Sequence, residues 1–227
     1  MINKRIPTGT KILDKLLEGG YETDAVTTIY GPAGSGKTNI AILAAIETAK
    51  TGKKVIYIDT EGGFSITRLK QIMPEYKKII NNIIFIKPTR FEDQIKAIKQ
   101  LKEMTSQNIG LIIIDTITML YRLQRSFKED DTHNQELSKQ MLTLNEIART
   151  KKIPILILSQ VYQSFETNKT KPVGGDILTY ASKCLLELDI LNNGNRRIQL
   201  KKHRSIGGEK EEIFKIIEKG IKNAYSS

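Results

Sequence analysis

Short runs of large aliphatic residues alternate along the chain with longer segments in which apolar residues recur every three or four positions. The runs are typical of strands buried on both faces of a sheet, and the longer segments are typical of helices that cover it. The pattern predicts strands at 27–30, 55–59, 83–86, 111–115 and 153–159. It predicts helices at 38–49, 91–101 and 137–150.

Strand and helix therefore keep alternating through the first two thirds of the chain. This order predicts an α/β fold with a mostly parallel sheet, right-handed crossovers and helices on its flanks. At the start of the 91–101 helix, Thr89 and Glu92 have the spacing of a capping box.

The last quarter of the chain has a different pattern. Two β-like runs, 185–190 and 196–202, flank the turn Asn-Asn-Gly-Asn at 192–195, which predicts a hairpin. A further short strand is expected at 213–217. Because no repeat, low-complexity tract or long linker interrupts the sequence, we expect residues 1–227 to form a single domain that ends in an antiparallel hairpin.

The junction between the first strand and the first helix reads Gly-x-x-x-x-Gly-Lys-Thr. Glycines allow backbone amides to approach phosphate oxygens closely, and the helix that follows contributes the positive end of its dipole. The lysine should reach the β- and γ-phosphates, and the threonine hydroxyl should bind Mg²⁺. The alternative is a glycine-rich turn before an ordinary helix, but the flanking strand and helix favour the phosphate site. Its candidate residues are Gly31, Pro32, Ala33, Gly34, Ser35, Gly36, Lys37 and Thr38.

Three further polar residues follow aliphatic strands and should lie at the same edge of the sheet. Asp115 ends the run LIIID and is the candidate second magnesium residue, with a turn-capping acid as the alternative. Glu61 follows the 55–59 strand and could polarise the attacking water, or it could be a solvated loop acid. Gln160 could sense the γ-phosphate, or it could be a turn residue.

Composition agrees with an intracellular protein that meets polyanions. Lys and Arg number 36 against 25 Asp and Glu, a formal net charge of +11, which favours nucleic acid as the partner; a heat-adapted surface is the alternative. No signal pattern and no long apolar run is present, so we expect a cytoplasmic protein with no membrane contact. The single cysteine, Cys184, is expected to be buried and unreactive.

Two connections leave the edge of the sheet that should hold the phosphate site, and both are candidate DNA surfaces. The first covers 122–134 and the second 162–176; each could instead be a mobile solvated loop. The cations and aromatic rings of the second connection suit stacking on single-stranded bases, whereas the acids at 129–131 in the first would repel phosphates. A run of four basic residues at 201–204 could contact DNA, reach a neighbouring subunit's nucleotide or form a charged strand end. The DNA-binding candidates are Arg122, Arg125, Tyr162, Phe165, Lys169, Lys171, Lys201, Lys202, His203 and Arg204.

The motifs together resemble those of one family. TGTKILDKLLEGG, GPAGSGKT, YIDTEGGF, LIIID, the strand that ends in Gln160 and the block Pro-Val-Gly-Gly fall in the order and approximate spacing of the RecA-type recombinases. The resemblance covers nearly the whole chain, and it is strongest to a short archaeal paralogue of the strand-exchange recombinase. It implies a RecA-like P-loop NTPase core that takes ATP and Mg²⁺.

The resemblance also implies roles for individual residues. The residue that matches Glu61 activates the hydrolytic water, Asp115 supports magnesium, Gln160 links the γ-phosphate to the DNA loops, and Arg68 lies against the adenine. With Lys37, Glu61 and Gln160 form the candidate catalytic set. The connections at 122–134 and 161–175 correspond to the two DNA-binding loops.

Some features of the recombinases are missing from this sequence. It opens directly on the nucleotide-binding core, without the N-terminal helical DNA-binding domain, and none of its phenylalanines stands in the Phe-x-x-Ala pattern that links neighbouring subunits. We therefore expect an accessory protein of recombination and repair that binds single-stranded or branched DNA and other repair proteins, such as the main recombinase. Oligomers are compatible with this view, but long strand-exchanging filaments are not expected. The alternatives are a hexameric ATPase regulator or motor and a small-molecule P-loop kinase.

Overall fold

The computed structural model describes residues 4–105, 108–125, 132–163 and 170–225, apart from the side chains at 125, 163 and 170. Its strands are β1 Arg5–Ile6, β2 Tyr21–Glu22, β3 Val26–Tyr30, β4 Lys54–Asp59, β5 Ile83–Ile86, β6 Ile109–Asp115, β7 Ile155–Ser159, β8 Val161–Gln163, β9 Thr170–Pro172, β10 Cys184–Ile190, β11 Arg196–His203, β12 Lys210–Ile217 and β13 Gly220–Asn223. Its α-helices are α1 Lys11–Leu16, α2 Lys37–Lys50, α3 Ile66–Ile72, α4 Phe91–Met104, α5 Met119–Arg125, α6 Thr132–Lys151 and α7 Gly175–Ala181. Two short 3₁₀ turns, Tyr76–Lys78 and Ile80–Asn82, precede β5.

Nine of the strands form one sheet, in the order β13-β12-β11-β10-β3-β7-β6-β4-β5. The strands from β10 to β5 pair in parallel, and β10 to β13 pair antiparallel. The pairs β1–β2 and β8–β9 are separate antiparallel ribbons. The predicted α/β class, the parallel centre and the hairpin across the Asn-Gly turn are confirmed. Strand β13 was not predicted, because Gly220–Asn223 is too short and polar to show a strand pattern.

Helices cover both faces of the sheet. Along β4, Val55 and Tyr57 face the layer of α1, α2 and α3, whereas Ile56 and Ile58 face the layer of α4 to α7. This alternation explains why the central strands read as unbroken aliphatic runs, since both faces of each strand are buried. The two apolar layers fix the central strands and thereby the edge at which those strands end.

Two further observations concern the single cysteine and the search for membrane-spanning helices. Cys184 is buried, and burial raises the pKa of its thiol to about 12, which confirms it as a small core side chain. Among the described residues, none of the helices has both the length and the apolar character that a membrane span requires.

The predicted capping box before α4 is wrong. The helix begins at Phe91 with Arg90 as its N-cap residue, and no side chain bonds to the first turn from that position. Thr89 stands one residue too early to cap, because the buried Phe91 ring requires the helix to start there. The Arg90 guanidinium instead binds Asp93, at 3.1 Å.

The two predicted loops are largely regular structure where they are described. Residues up to 125 belong to α5, and α6 begins at Thr132. The second connection contains the β8–β9 ribbon, in which Tyr162 lies opposite Lys171, and α7 begins at Gly175. The described parts of both segments are therefore helix and ribbon, where the sequence had predicted irregular loops.

The charged side chains of the basic run at 201–204 bind partners within the same chain. The Lys201 ammonium lies 3.3 Å from the Glu187 carboxylate. The Lys202 ammonium donates to the backbone carbonyl of Thr179 at 2.7 Å. Both lysines thus have partners across neighbouring elements.

The second half of the run anchors β11 to β2. The His203 side chain is only 1% exposed, so the prediction that it contacts DNA requires correction. The Arg204 Nε lies 2.7 Å from Glu22 Oε2, and its guanidinium also pairs with Asp24. Because the Glu22 side chain is buried, it requires this cation as a partner. The run is therefore a structural junction in which Arg204 compensates a buried acid.

Candidate functional site

The predicted site residues lie at the ends of four neighbouring strands. In the sheet order β3-β7-β6-β4, the glycine loop follows β3, Gln160 follows β7, Asp115 ends β6, and Glu61 stands two residues beyond β4. All four strands run parallel, so their carboxyl ends meet at one edge. The structure brings together the residues that the sequence placed at a common edge.

The glycine loop has no room for larger side chains at its start. A Cβ atom on Gly31 would lie 2.5 Å from the Leu188 carbonyl oxygen and 2.9 Å from Ser35 Oγ. Gly36, which precedes α2, has φ +104°, a conformation that favours glycine. These constraints explain why the loop carries glycine where the backbone turns towards the helix.

The start of α2 suits an anion. Gly36 is the N-cap residue and offers no side chain to the helix, so amides of the first turn remain available to a ligand. The Ser35 hydroxyl is buried and has no hydrogen-bond partner among the described residues. Unpaired donors around a closed loop fit a phosphate group.

Lys37 is folded over the same loop. Its ammonium donates to the carbonyl oxygens of Gly31 at 2.8 Å and Pro32 at 2.9 Å. Burial lowers the pKa of Lys37, while the carboxylates of Glu61 and Asp115 act in the opposite direction. A phosphate beside the ammonium would favour its charged form.

Asp115 and Thr38 fit a magnesium ion. Asp115 is buried, and its Oδ1 has no hydrogen-bond partner within the described part of the chain. A Cβ atom built on Gly63 would lie 3.5 Å from Thr38 Oγ1 and 3.9 Å from Asp115 Oδ2, so the hydroxyl and the carboxylate line the same space. Magnesium is often held by one or two protein oxygens with phosphate and water completing the shell, which matches this donor set.

Burial dominates the electrostatics of Asp115. It raises the pKa of this carboxyl to about 6, while the hydroxyls of Tyr57 and Thr38 act to lower it. Tyr57 OH donates to Asp115 Oδ2 at 2.8 Å, and burial raises the pKa of Tyr57 well above its usual value. A divalent cation beside Asp115 would stabilise its charged form. Among the described residues, no cluster of three or more His, Cys, Asp or Glu side chains forms another metal site.

Glu61, which follows β4, is hydrogen-bonded to Gln160, which follows β7, two strands away in the sheet. Its Oε1 accepts a hydrogen bond of 2.6 Å from Gln160 Nε2 and one of 3.1 Å from Thr116 Oγ1. Gln160 Oε1 in turn accepts from the Arg122 guanidinium at 3.2 Å. Side chains therefore form a continuous path, Thr116–Glu61–Gln160–Arg122, from the magnesium side of the site to α5. We call these four side chains the polar relay.

Two threonines hold the relay in place through contacts that the sequence did not predict. The Thr60 hydroxyl donates to the Thr116 carbonyl at 2.7 Å and accepts from the Thr116 amide at 2.9 Å. Each threonine directly follows an acid, Asp59 or Asp115, that ends an aliphatic strand. The acid–threonine pair, repeated at the ends of two neighbouring strands, was the feature of the sequence that could have predicted this contact.

Arg68 lies on α3 and is bound by the C-terminal strands. Its guanidinium donates to Asn39 Oδ1 at 2.6 Å and to the carbonyl oxygens of Ile217 at 2.7 Å and Glu218 at 2.9 Å. These bonds join α3 to α2 and to the β12–β13 turn. Contact with adenine, which the family resemblance implies, remains a prediction for this residue.

Two of the described DNA-binding candidates line one hollow, away from the basic run at 201–204. Arg122, Tyr162 and the glycines after β9 line a cavity of about 440 Å³, and Lys171 lies across the ribbon from Tyr162. The Tyr162 side chain is 46% exposed, so its ring is available to a partner. Phe165, Lys169 and the side chain of Arg125 lie outside the described residues.

Comparison with known proteins agrees with this geometry. The Rad51 family model matches residues 3–224. Proteins described as "DNA repair and recombination protein RadB" are 43% identical in Methanobrevibacter smithii, covering 96% of both chains, and 40% identical in Methanocaldococcus jannaschii, covering 92% of this chain and 98% of that one. A crystal structure described as that of the RadB recombinase superposes with a TM-score of 0.84 at 36% identity, over 96% of this chain and 99% of the other. The chain therefore belongs to the Rad51/RecA family and, within it, to the archaeal RadB proteins.

Proposed function

We propose that this chain is an ATP- and DNA-binding accessory protein of homologous recombination and DNA repair, with a weak ATPase and no strand-exchange activity of its own. Its relatives are described as DNA repair and recombination proteins, and its net charge of +11 favours a polyanionic partner. We further propose that it acts in the cytoplasm beside other recombination proteins, such as the main recombinase.

The polar relay is the observation that carries this proposal. Glu61 would lie near the γ-phosphate of a nucleotide held by the glycine loop, and its partner Gln160 immediately precedes β8, the first strand of the ribbon that carries Tyr162. A γ-phosphate that shifts Glu61 would disturb its hydrogen bond to Gln160 and hence the start of that ribbon. Nucleotide state could thus bias a DNA-facing element through one side-chain contact.

The roles at the nucleotide follow from the donor set. Lys37 and the loop amides would bind the phosphates, and Thr38 and Asp115 would hold the magnesium ion, which supplies neutralising charge on the phosphates when bound. Glu61 would orient and deprotonate the attacking water.

The contacts of Glu61 favour slow hydrolysis. Its Oε1 already accepts hydrogen bonds from Gln160 and Thr116, so only Oε2 is left to contact a water molecule. A general base that also holds the relay in place is compatible with slow turnover. The lack of the Phe-x-x-Ala pattern among the phenylalanines of the sequence supports the absence of strand exchange.

Replacing Lys37 by alanine should weaken binding of a non-hydrolysable ATP analogue by about 100-fold, because two charge-assisted hydrogen bonds to phosphate are lost. Isothermal titration calorimetry gives the affinity. Lys50→Ala, at the exposed far end of the same helix, is the matched control and should bind like the parent. An unchanged affinity in Lys37→Ala would remove this lysine from the nucleotide site.

Steady-state ATP turnover, measured with and without single-stranded DNA and beside a strand-exchange assay, tests the activity. The parent should hydrolyse slowly and exchange no strands, and Glu61→Gln should bind the analogue normally but lose hydrolysis by about 100-fold or more. Glu75→Gln, which changes an exposed acid on the surface, should keep the parental rate. Brisk turnover without any DNA affinity would instead favour the hexameric regulator, and strand exchange by the parent would contradict the accessory role.

The β8–β9 ribbon should contribute to DNA affinity. The double variant Tyr162→Ala, Lys171→Glu should bind single-stranded DNA about tenfold more weakly, since it loses a stacking ring, and its salt slope should fall by about 0.7. Fluorescence anisotropy over a salt series measures both quantities. The control Tyr225→Ala, Lys222→Glu makes the same changes at exposed residues on the far edge of the sheet. If both variants lose affinity equally, the ribbon is not the DNA surface.

A further inference from the structure

The Tyr57 hydroxyl contacts the carboxylate on which the magnesium site depends. Tyr57 is fully buried in β4 and donates to Asp115 Oδ2 at 2.8 Å. We propose that Tyr57 is a positioning residue, which holds the Asp115 carboxylate in place beside the Thr38 hydroxyl, where the magnesium ion would bind. The inference rests on the proposed function, because it assumes that a magnesium nucleotide binds in the glycine loop.

The strand register brings the two side chains together. Strands β4 and β6 pair in parallel with Tyr57 opposite Ile113 and Asp59 opposite Asp115. Tyr57 and Asp115 therefore lie on the same face of neighbouring strands, two residues apart along the strand direction. A long side chain such as tyrosine can span this diagonal, whereas the aliphatic residues of the same strands would leave the carboxylate without a donor.

The two carboxylate oxygens of Asp115 have different surroundings. Oδ2 accepts the Tyr57 hydrogen bond, and Oδ1 is buried without a partner among the described residues. A buried acceptor without a donor is costly, and a divalent cation would satisfy it. Oδ2 lines the same space as the Thr38 hydroxyl, so the Tyr57 hydrogen bond to Oδ2 fixes the carboxylate at the place where the magnesium ion would bind.

The Tyr57 ring is itself held by two aromatic neighbours. Its centroid lies 5.0 Å from that of Phe64, in an edge-to-face arrangement, and 5.8 Å from that of Phe85. The Phe64 amide donates to Asp59 Oδ2 at 3.3 Å, so Phe64 is tied to the end of β4 as well. To move its hydroxyl oxygen away from Asp115, the Tyr57 ring itself would have to move, and that would disrupt this packing. A rigid donor is what a positioning role requires, because outer-shell partners act by orienting the ligand.

A magnesium titration of nucleotide binding tests the proposal. The variant Tyr57→Phe keeps the ring and removes the hydroxyl. We expect the magnesium concentration for half-maximal binding of a fluorescent non-hydrolysable ATP analogue to rise about tenfold, as is typical when an outer-shell hydrogen bond is lost. Binding of the analogue in EDTA should stay at the parental level, since the phosphate contacts of the loop do not involve Tyr57.

The chain offers a matched control in Tyr21→Phe. Tyr21 is also buried, and its hydroxyl has no hydrogen-bond partner among the described residues, so the same chemical change there should leave the magnesium titration unchanged. A Tyr57→Phe titration that superimposes on the parental one would overturn the inference. A parent that binds no analogue with or without magnesium would instead refute the nucleotide site itself.

A double-mutant cycle separates positioning from a general loss of packing. In an Asp115→Asn background, Tyr57→Phe should cause no further change in the magnesium titration, because its effect passes through the carboxylate. Equal losses in both backgrounds would contradict that route. If Tyr57→Phe does not fold, a crystal structure of the parent with the analogue and magnesium decides the question. Tyr57 OH should bond to the Asp115 carboxylate while that carboxylate contacts the ion or its water shell, and a tyrosine hydroxyl without a bond to Asp115 would overturn the proposal.

Discussion

The hydrogen bond of 2.6 Å between Gln160 and Glu61 joins the two parts of the molecule to which we assign nucleotide binding and DNA contact. On one side lies a closed glycine loop with an inward-facing lysine and a buried carboxylate. On the other side lies a ribbon that exposes an aromatic ring and a lysine. This bond is the direct side-chain contact between Glu61 and the residue at which the ribbon begins.

The bond depends on a rigid setting. Glu61 is held beside β6 by Thr116, which Thr60 fixes through reciprocal bonds, and the whole edge rests on strands buried on both faces. Glu61 and Gln160 each stand just beyond the end of such a strand, and we propose that a phosphate that displaces Glu61 would therefore disturb Gln160. The same rigidity favours Tyr57 as a fixed donor to Asp115. The site thus combines the fixed contacts of Thr60, Thr116 and Tyr57 with one hydrogen bond, between Gln160 and Glu61, that can be broken and re-formed.

Much of this arrangement could be predicted because its signals are local. Aliphatic runs fix the strands, the glycine spacing fixes the loop, and parallel strands must deliver their end residues to one edge, which placed Lys37, Glu61, Asp115 and Gln160 together. Family resemblance sharpened the roles of these residues. The capping box at Thr89 failed because the burial of Phe91, a tertiary effect, decided where the helix begins.

Contacts between distant segments were not predictable in the same way. The basic run at 201–204 reads as a surface patch, yet Arg204 compensates Glu22, a residue about 180 positions earlier in the chain. Arg68 likewise binds carbonyl groups of a turn near the C-terminus, and backbone acceptors leave no trace in a sequence. The contact of Tyr57 with Asp115 depends on strand register, which the order of residues alone does not reveal.

Thermodynamic coupling between the two ligands tests the central claim most directly. The affinity for single-stranded DNA should be measured with and without a saturating non-hydrolysable ATP analogue and magnesium, and the affinity for the analogue with and without DNA. The account predicts that each ligand changes the affinity for the other by the same factor, about fivefold or more, and that Gln160→Ala removes the effect. Two affinities that do not respond to each other, or a coupling that survives in Gln160→Ala, would contradict it.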